Sequence, residues 1–96
     1  MDSLLSEKLF TLRKAKSALS GEMEWRAQTD MLDPHGLWRL GELARSFQQQ
    51  ARLLLVTMAR EDASESSQQE AEELIDLFGC ILNQAEAMLA SMRKAS

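Results

Sequence analysis

Few residues in this chain have side chains suited to catalysis. His35 is the only histidine and Cys80 the only cysteine, and they are far apart in the sequence. A thiol acts as a nucleophile where basic neighbours favour its thiolate form, and the residues around Cys80 are not basic. Zinc sites need several Cys or His ligands. We therefore predict no catalytic residue, no metal, no cofactor and no small-molecule substrate, and we interpret Cys80 as a buried or half-buried inert thiol.

The remaining polar clusters have an ordinary structural interpretation. Four acidic residues between Glu70 and Asp76 lie near the start of a predicted helix, where negative charge interacts favourably with the helix dipole. His35 lies in the first turn after Pro34, at another predicted helix start. The four glycines are isolated, so no phosphate-binding loop is present. These groups are interpreted as solvent-exposed helix starts, and the chain is predicted not to be an enzyme.

Two apolar stripes predict two helices, which would carry any functional surface. Both stripes step by 3 and 4 residues, which is the spacing of one packed helix face. The first consists of Leu37, Leu40, Ala44, Phe47, Ala51, Leu54 and Met58. The second consists of Ala71, Leu74, Phe78, Ile81, Ala85, Met88 and Met92. Run antiparallel, the two stripes match around a turn near Ser64 and Glu65, with Ala51 opposite Phe78.

The predicted fold is all-α: a single domain over residues 1–96, forming an up-down-up three-helix bundle built on this antiparallel heptad hairpin. Helices are expected at about residues 4–29, 34–60 and 68–93. A second column on helix 3, formed by Ile75, Leu82 and Leu89, indicates that helix 3 contacts both other helices. Gly41 and Gly79 lie inside helices, which favours a close approach of neighbouring helices there.

The first helix carries its own apolar stripe, formed by Leu5, Leu9, Leu12, Leu19 and Met23. Lys16 interrupts the stripe, and Gly21 raises the alternative of a kink. Asp2 or Ser3 can cap this helix. Asp33 before Pro34 predicts the N-cap of helix 2.

Leu32 and Leu37 at the same helix start are spaced as a hydrophobic staple.

The connection between helices 2 and 3 contains neither Gly nor Pro. We nevertheless predict a turn at about residues 61–66, because a continuous heptad would bring Glu61 and Glu65 into the core. Ser67 with Glu70 forms a predicted capping box, and Ser66 with Gln69 is the alternative. An opened hairpin that is swapped between two chains is a further alternative.

Helix 2 also carries large side chains away from its core stripe. Trp38, Arg45 and Arg52 follow one another at heptad spacing, and Leu53 and Val56 point away from helix 3. Tryptophan, arginine and exposed apolar residues are typical of protein interfaces. We predict that these five residues bind a partner, with a two-fold homodimer as the commonest solution. The alternatives are burial under helix 1 or scattered surface residues without a role.

The net charge of −4 argues against a general nucleic-acid-binding protein. A basic stretch on helix 1 has two interpretations: attraction to the acidic start of helix 3, or a docking patch for an acidic partner. Its members are Lys8, Arg13, Lys14 and Lys16.

Taken together, these patterns predict a small helical protein-binding module that acts as an adaptor, a chaperone or an inhibitor by occluding or scaffolding a partner's surface. The alternative is a regulator that contacts nucleic acid or its machinery through the basic stretch. A lone cysteine, the lack of a long apolar run and the lack of a signal-peptide pattern predict a cytoplasmic protein without a membrane span. Heptad hairpins occur in many unrelated proteins, so the fold alone does not indicate the partner.

Overall fold

A computed structural model describes residues 3–29 and 33–95 of the chain, with side chains described for residues 4–29 and 33–94. The described part is all-helical and contains three helices. They are α1 (Ser3–Gln28), α2 (Pro34–Arg60) and α3 (Glu65–Ala95). The expected all-α class and the number of helices are therefore confirmed, while α3 begins three residues earlier than expected and extends to Ala95.

Helix α1 is continuous from Ser3 to Gln28, so the chain is not broken at Gly21. Gly21 is exposed, and a Cβ placed there would meet no atom within 4 Å. Every apolar member of the α1 stripe is buried, and Lys16 is half-buried at the interruption. The proposed cap at Asp2 lies outside the described residues.

Asp33 caps the start of α2, as predicted. Its backbone is extended (φ −110°, ψ 147°), and its Oδ2 accepts a hydrogen bond from the Gly36 N–H at 2.8 Å. Its Oδ1 accepts a second hydrogen bond from Nη1 of Arg26 on α1, also at 2.8 Å. The hydrogen bond from Gly36, together with the guanidinium of Arg26, lowers the pKa of the Asp33 carboxyl. The staple partner Leu32 lies outside the described residues.

Helix α2 ends in a Schellman motif that needs no glycine. Asp62 adopts a left-handed backbone with φ 58°, and its N–H donates to the Ala59 carbonyl. The Ala63 N–H donates to the carbonyl of Met58 at 2.8 Å. These two bonds satisfy carbonyls at the end of the helix and reverse the chain. Residues 61–64 therefore form the turn between α2 and α3.

The predicted capping box at the start of α3 is wrong. The cap is Ser64, whose Oγ accepts a hydrogen bond from the Ser67 N–H at 3.2 Å. Ser67 and Glu70 instead lie inside the helix. The Schellman motif reverses the chain within residues 61–63, so Ser64 is already placed to cap the next helix. The helix therefore begins at Glu65, and the turn is shorter than expected.

The core lies mainly between α2 and α3, which are the most closely packed pair. Phe78 is fully buried, and its ring stacks on that of Phe47 with 5.6 Å between centroids. A Cβ at Gly41 would lie 3.6 Å from the Ala85 Cβ, which is an ordinary van der Waals contact, so an alanine would also fit at this position of α2. Other members of the two stripes are buried or half-buried, as are Ile75, Leu82 and Leu89.

A polar contact accompanies the packing beside Gly79. Gln48 reaches across from α2, and its Nε2 donates to the Ile75 carbonyl at 3.0 Å. A Cβ at Gly79 would lie only 2.8 Å from this nitrogen. The glycine therefore leaves the space through which Gln48 bonds to the backbone of α3.

Helix α1 adds its leucines to the same core and contacts both other helices. The resulting body is elongated, with principal extents of 51 × 20 × 17 Å.

Candidate functional site

The outer face of α2 is the side of this helix that points away from the core stripe. At 3.6 residues per turn, Trp38 and Val56 lie on the same line along the helix, roughly opposite the buried residues. Trp38 is 56%, Leu53 59% and Val56 55% exposed, and these values are high for such large apolar side chains. Arg45 and Arg52 are also exposed on this side. All five residues predicted to bind a partner therefore share one accessible face.

At the start of α2, the outer face adjoins a shallow depression. The Trp38 ring stacks beside the His35 ring, with 6.3 Å between centroids. The depression has a volume of about 460 Å³. It is lined by Pro34, His35, Trp38, Leu89, Met92 and Arg93. Half-buried side chains near the end of α3 therefore extend the apolar surface around Trp38.

Toward the end of α2, the outer face meets a groove between α1 and α2. Leu53 and Leu54 form its α2 side, and Leu4 and Leu12 contribute from α1. Lys8 also lines this groove, whose volume is about 390 Å³. Leu4 is itself half-exposed, at 52%. Helix α1 thus borders Leu53 but does not cover it, so the alternative of burial under helix 1 does not apply.

The charged residues of the outer face differ in their partners. Arg45 Nη2 lies 3.3 Å from Oε1 of Glu86 on α3, in an ion pair whose two side chains are more than half exposed. Such a pair contributes little to stability. Arg52 and Glu42 are exposed, and neither has an ion-pair partner within 4.0 Å among the described residues.

The basic stretch of α1 is divided between different surroundings. Arg13 Nη1 forms an ion pair with Glu70 Oε1 of α3 at 2.9 Å. Lys14 lies over the Phe10 ring, with Nζ 5.2 Å from the centroid. Lys8 borders the groove with α2, and Lys16 is half-buried. The Arg13–Glu70 contact is the intramolecular attraction that the sequence suggested, and the four side chains do not share one surface.

Neither of the two nucleophile or ligand candidates is part of a cluster. His35 is exposed and contacts Trp38. Cys80 is exposed as a free thiol, so the expectation of a buried or half-buried thiol is wrong. It lies beside the α3 stripe but far enough round the helix to face solvent. Among residues 3–29 and 33–95, no three His, Cys, Asp or Glu side chains form a group that could hold a metal ion.

By length and composition alone, helix α3 could span a membrane. An 18-residue stretch between Glu65 and Lys94 has a mean hydropathy of 1.2, and 22% of it is buried in the fold. One such helix is weak evidence for a membrane span, because the mostly buried core helix of a soluble protein can be equally long and apolar. The absence of a membrane span therefore stays a prediction.

Sequence reasoning missed two members of the outer face, Glu42 and Gln49. Both are exposed, and they lie between Trp38, Arg45 and Arg52 on the same side of the helix. The signal was present as a second stripe with steps of 4 and 3 residues, but its members are mostly polar. A search for apolar periodicity does not detect such a stripe.

No known protein family, curated protein or solved structure matches this chain.

Proposed function

We propose that this protein is a small helical protein-binding module that contacts its partner through the outer face of α2. In this proposal the three helices act as an up-down-up bundle that presents the face, and the protein works as an adaptor, a chaperone or an inhibitor by covering or scaffolding the partner's surface. It binds rather than catalyses.

One observation carries the proposal: Trp38, Leu53 and Val56 are each more than half exposed on one side of one helix. Burying apolar side chains of this size against a partner removes them from water, which makes the free energy of binding more favourable. Arg45 and Arg52 lie among them, and Trp and Arg are the residue types that most often dominate binding energy at interfaces. The surface therefore has the composition of a contact site.

The surface-charge pattern gives less support to a nucleic-acid-binding regulator. Arg13 already pairs with Glu70, and Lys14 lies over an aromatic ring. Phosphate binding needs several free cations on one surface. The net charge of −4 weighs in the same direction.

The test replaces Leu53 and Val56 together by Ser. Tagged wild-type and Leu53→Ser/Val56→Ser proteins are expressed in cells that make this protein, and co-purifying proteins are quantified by mass spectrometry. We expect one or more partners to be lost, because each apolar side chain buried at an interface contributes about 1.5–3 kcal/mol, or roughly tenfold or more in affinity.

Leu77→Ser is the matched control, since Leu77 is also exposed (41%) but lies on α3. It should retain the same partners. Circular dichroism must show unchanged helicity in both variants. If the double variant captures the same proteins in the same amounts as the wild type, the outer face of α2 is not the contact surface.

A further inference from the structure

A second heptad stripe runs along the outer face of α2. Its members step by 4, 3, 4, 3 and 4 residues and are all exposed: Trp38, Glu42, Arg45, Gln49, Arg52 and Val56. We call this set the outer stripe. Alternating steps of 3 and 4 keep residues on the seam between two packed helices. Helix α2 thus carries a second stripe at heptad spacing, opposite the one that packs on α3, and no described residue covers it.

The outer stripe is complementary to itself when two copies run antiparallel. In that arrangement, the first member of the stripe on one helix lies beside the last member on the other, the second beside the fifth, and the third beside the fourth. Trp38 then packs against Val56 of the second copy, and Arg45 lies beside Gln49 of the second copy. The two-fold axis crosses α2 near Phe47. Each of the two apolar residues of the outer stripe therefore contacts an apolar residue of the second copy.

The charges select the same arrangement. Antiparallel pairing brings Glu42 beside Arg52 of the second copy, and symmetry repeats this pair on the other side of the axis. Both side chains are exposed and have no intramolecular ion-pair partner among the described residues. A parallel arrangement would instead set Glu42 against Glu42 and Arg52 against Arg52, and like charges repel.

We propose that the partner for this face is a second copy of the chain, with two α2 helices packed antiparallel along the outer stripe. The proposal rests on the proposed function, because it uses the outer face of α2 as a contact surface. It adds the identity of the partner, the direction of pairing and the Glu42–Arg52 contact. From Trp38 to Val56 the stripe is about 27 Å long, so the interface is modest and the dimer reversible.

Charge reversal tests both the partner and the direction of pairing. In Glu42→Arg, and separately in Arg52→Glu, each of the two symmetric pairs becomes a like-charge contact. Sedimentation equilibrium over roughly 10 μM to 1 mM protein should show that each variant dimerises about tenfold or more weakly than the wild type. Glu73→Arg is the control for Glu42→Arg, since it makes the same charge change at an exposed site on α3. It should dimerise like the wild type.

Mixing the two variants tests whether the two outer stripes meet. The double variant tests the direction of pairing, because a mixed parallel dimer would also join opposite charges whereas a parallel homodimer of the double variant would not. In a mixed dimer of Glu42→Arg with Arg52→Glu, both symmetric contacts again join opposite charges. We expect the mixture to form heterodimers at the concentrations at which the wild type dimerises, as detected by native mass spectrometry with chains of different tag mass. The double variant Glu42→Arg/Arg52→Glu should also recover homodimerisation.

Two results would overturn this inference: a wild-type protein that stays monomeric up to about 1 mM, or a mixture that associates no better than either variant alone. Neither result would remove the proposed function. If Leu53→Ser/Val56→Ser still loses a captured protein, the outer face binds a different partner. If that capture is also unchanged, the face is not a contact surface at all.

Discussion

A single carboxylate organises the junction between the first two helices. Asp33 Oδ2 accepts from the Gly36 N–H, while Oδ1 accepts from Arg26 at the end of α1. The cap itself was predictable, because an Asp before Pro is a local signal. The hydrogen bond from Arg26 was not, because it joins the end of one helix to the start of the next and has no local signal in the sequence.

Because the pKa of Asp33 is lowered from its ordinary value of 3.8, the fold favours the charged carboxylate. Its contribution to stability is fully present above pH 4 or so and is lost as the pH falls through the folded-state pKa. We expect the melting temperature of the wild type to exceed that of Asp33→Asn near neutral pH, and this difference to shrink below about pH 4.

Asn is the matched replacement, since it can still accept the hydrogen bond from Gly36 but does not titrate. Thermal melts followed by circular dichroism between about pH 2.5 and 7 give the comparison. A difference that is the same at every pH would show that the charge of Asp33 does not stabilise the fold.

At the scale of the elements, the turn between α2 and α3 depends on the conformation of Asp62. The sequence predicted a turn here because a continuous heptad would bring Glu61 and Glu65 into the core. It did not predict the correct cap, because Ser64, Ser66 and Ser67 are all good capping residues. The choice among them follows from the backbone hydrogen bond that the Ala63 N–H donates to the Met58 carbonyl. Without a glycine in this segment, the sequence does not indicate that bond.

Substitutions of Asp62 test this account of the turn. Its positive φ of 58° costs a residue with a Cβ about 1–2 kcal/mol, although Asp tolerates it better than most. Asp62→Gly should raise the free energy of unfolding by about 0.5–1 kcal/mol. Asp62→Val should lower it by about 1–2 kcal/mol, because branched side chains fit this conformation poorly.

Urea unfolding monitored by circular dichroism measures both changes. The two substitutions shift stability in opposite directions only if the left-handed conformation is adopted. Equal midpoints for Gly and Val at this position would therefore contradict the Schellman motif.

At the scale of the whole molecule, α2 and α3 are the most closely packed pair of helices. The heptad stripes predicted this interface nearly completely, because apolar periodicity reports directly which residues are buried. They also predicted correctly that Trp38, Leu53 and Val56 are off the seam. Apolar periodicity alone does not identify a partner for those residues, because it reports which residues are buried within one chain.

Phe78 is the side chain on which the interface depends most. It is fully buried and stacks on Phe47, so Phe78→Ala should lower the free energy of unfolding by about 3–5 kcal/mol. This is a large part of the total for a domain of this size. The neighbouring Leu77 is 41% exposed, and Leu77→Ala should cost less than about 1 kcal/mol. Urea melts in which the two variants lose similar stability would rule out the described packing.

The rod-like outline of the chain affects how its mass should be measured. The radius of gyration is 15.2 Å, whereas a compact chain of this length would have about 12–13 Å. A rod diffuses more slowly than a sphere of equal mass, so on gel filtration a lone 10.8 kDa chain will elute earlier than a globular protein of the same mass. Two rods lying side by side would barely exceed the 51 Å length of one, so small-angle X-ray scattering should register pairing as a thicker cross-section at nearly constant maximum dimension.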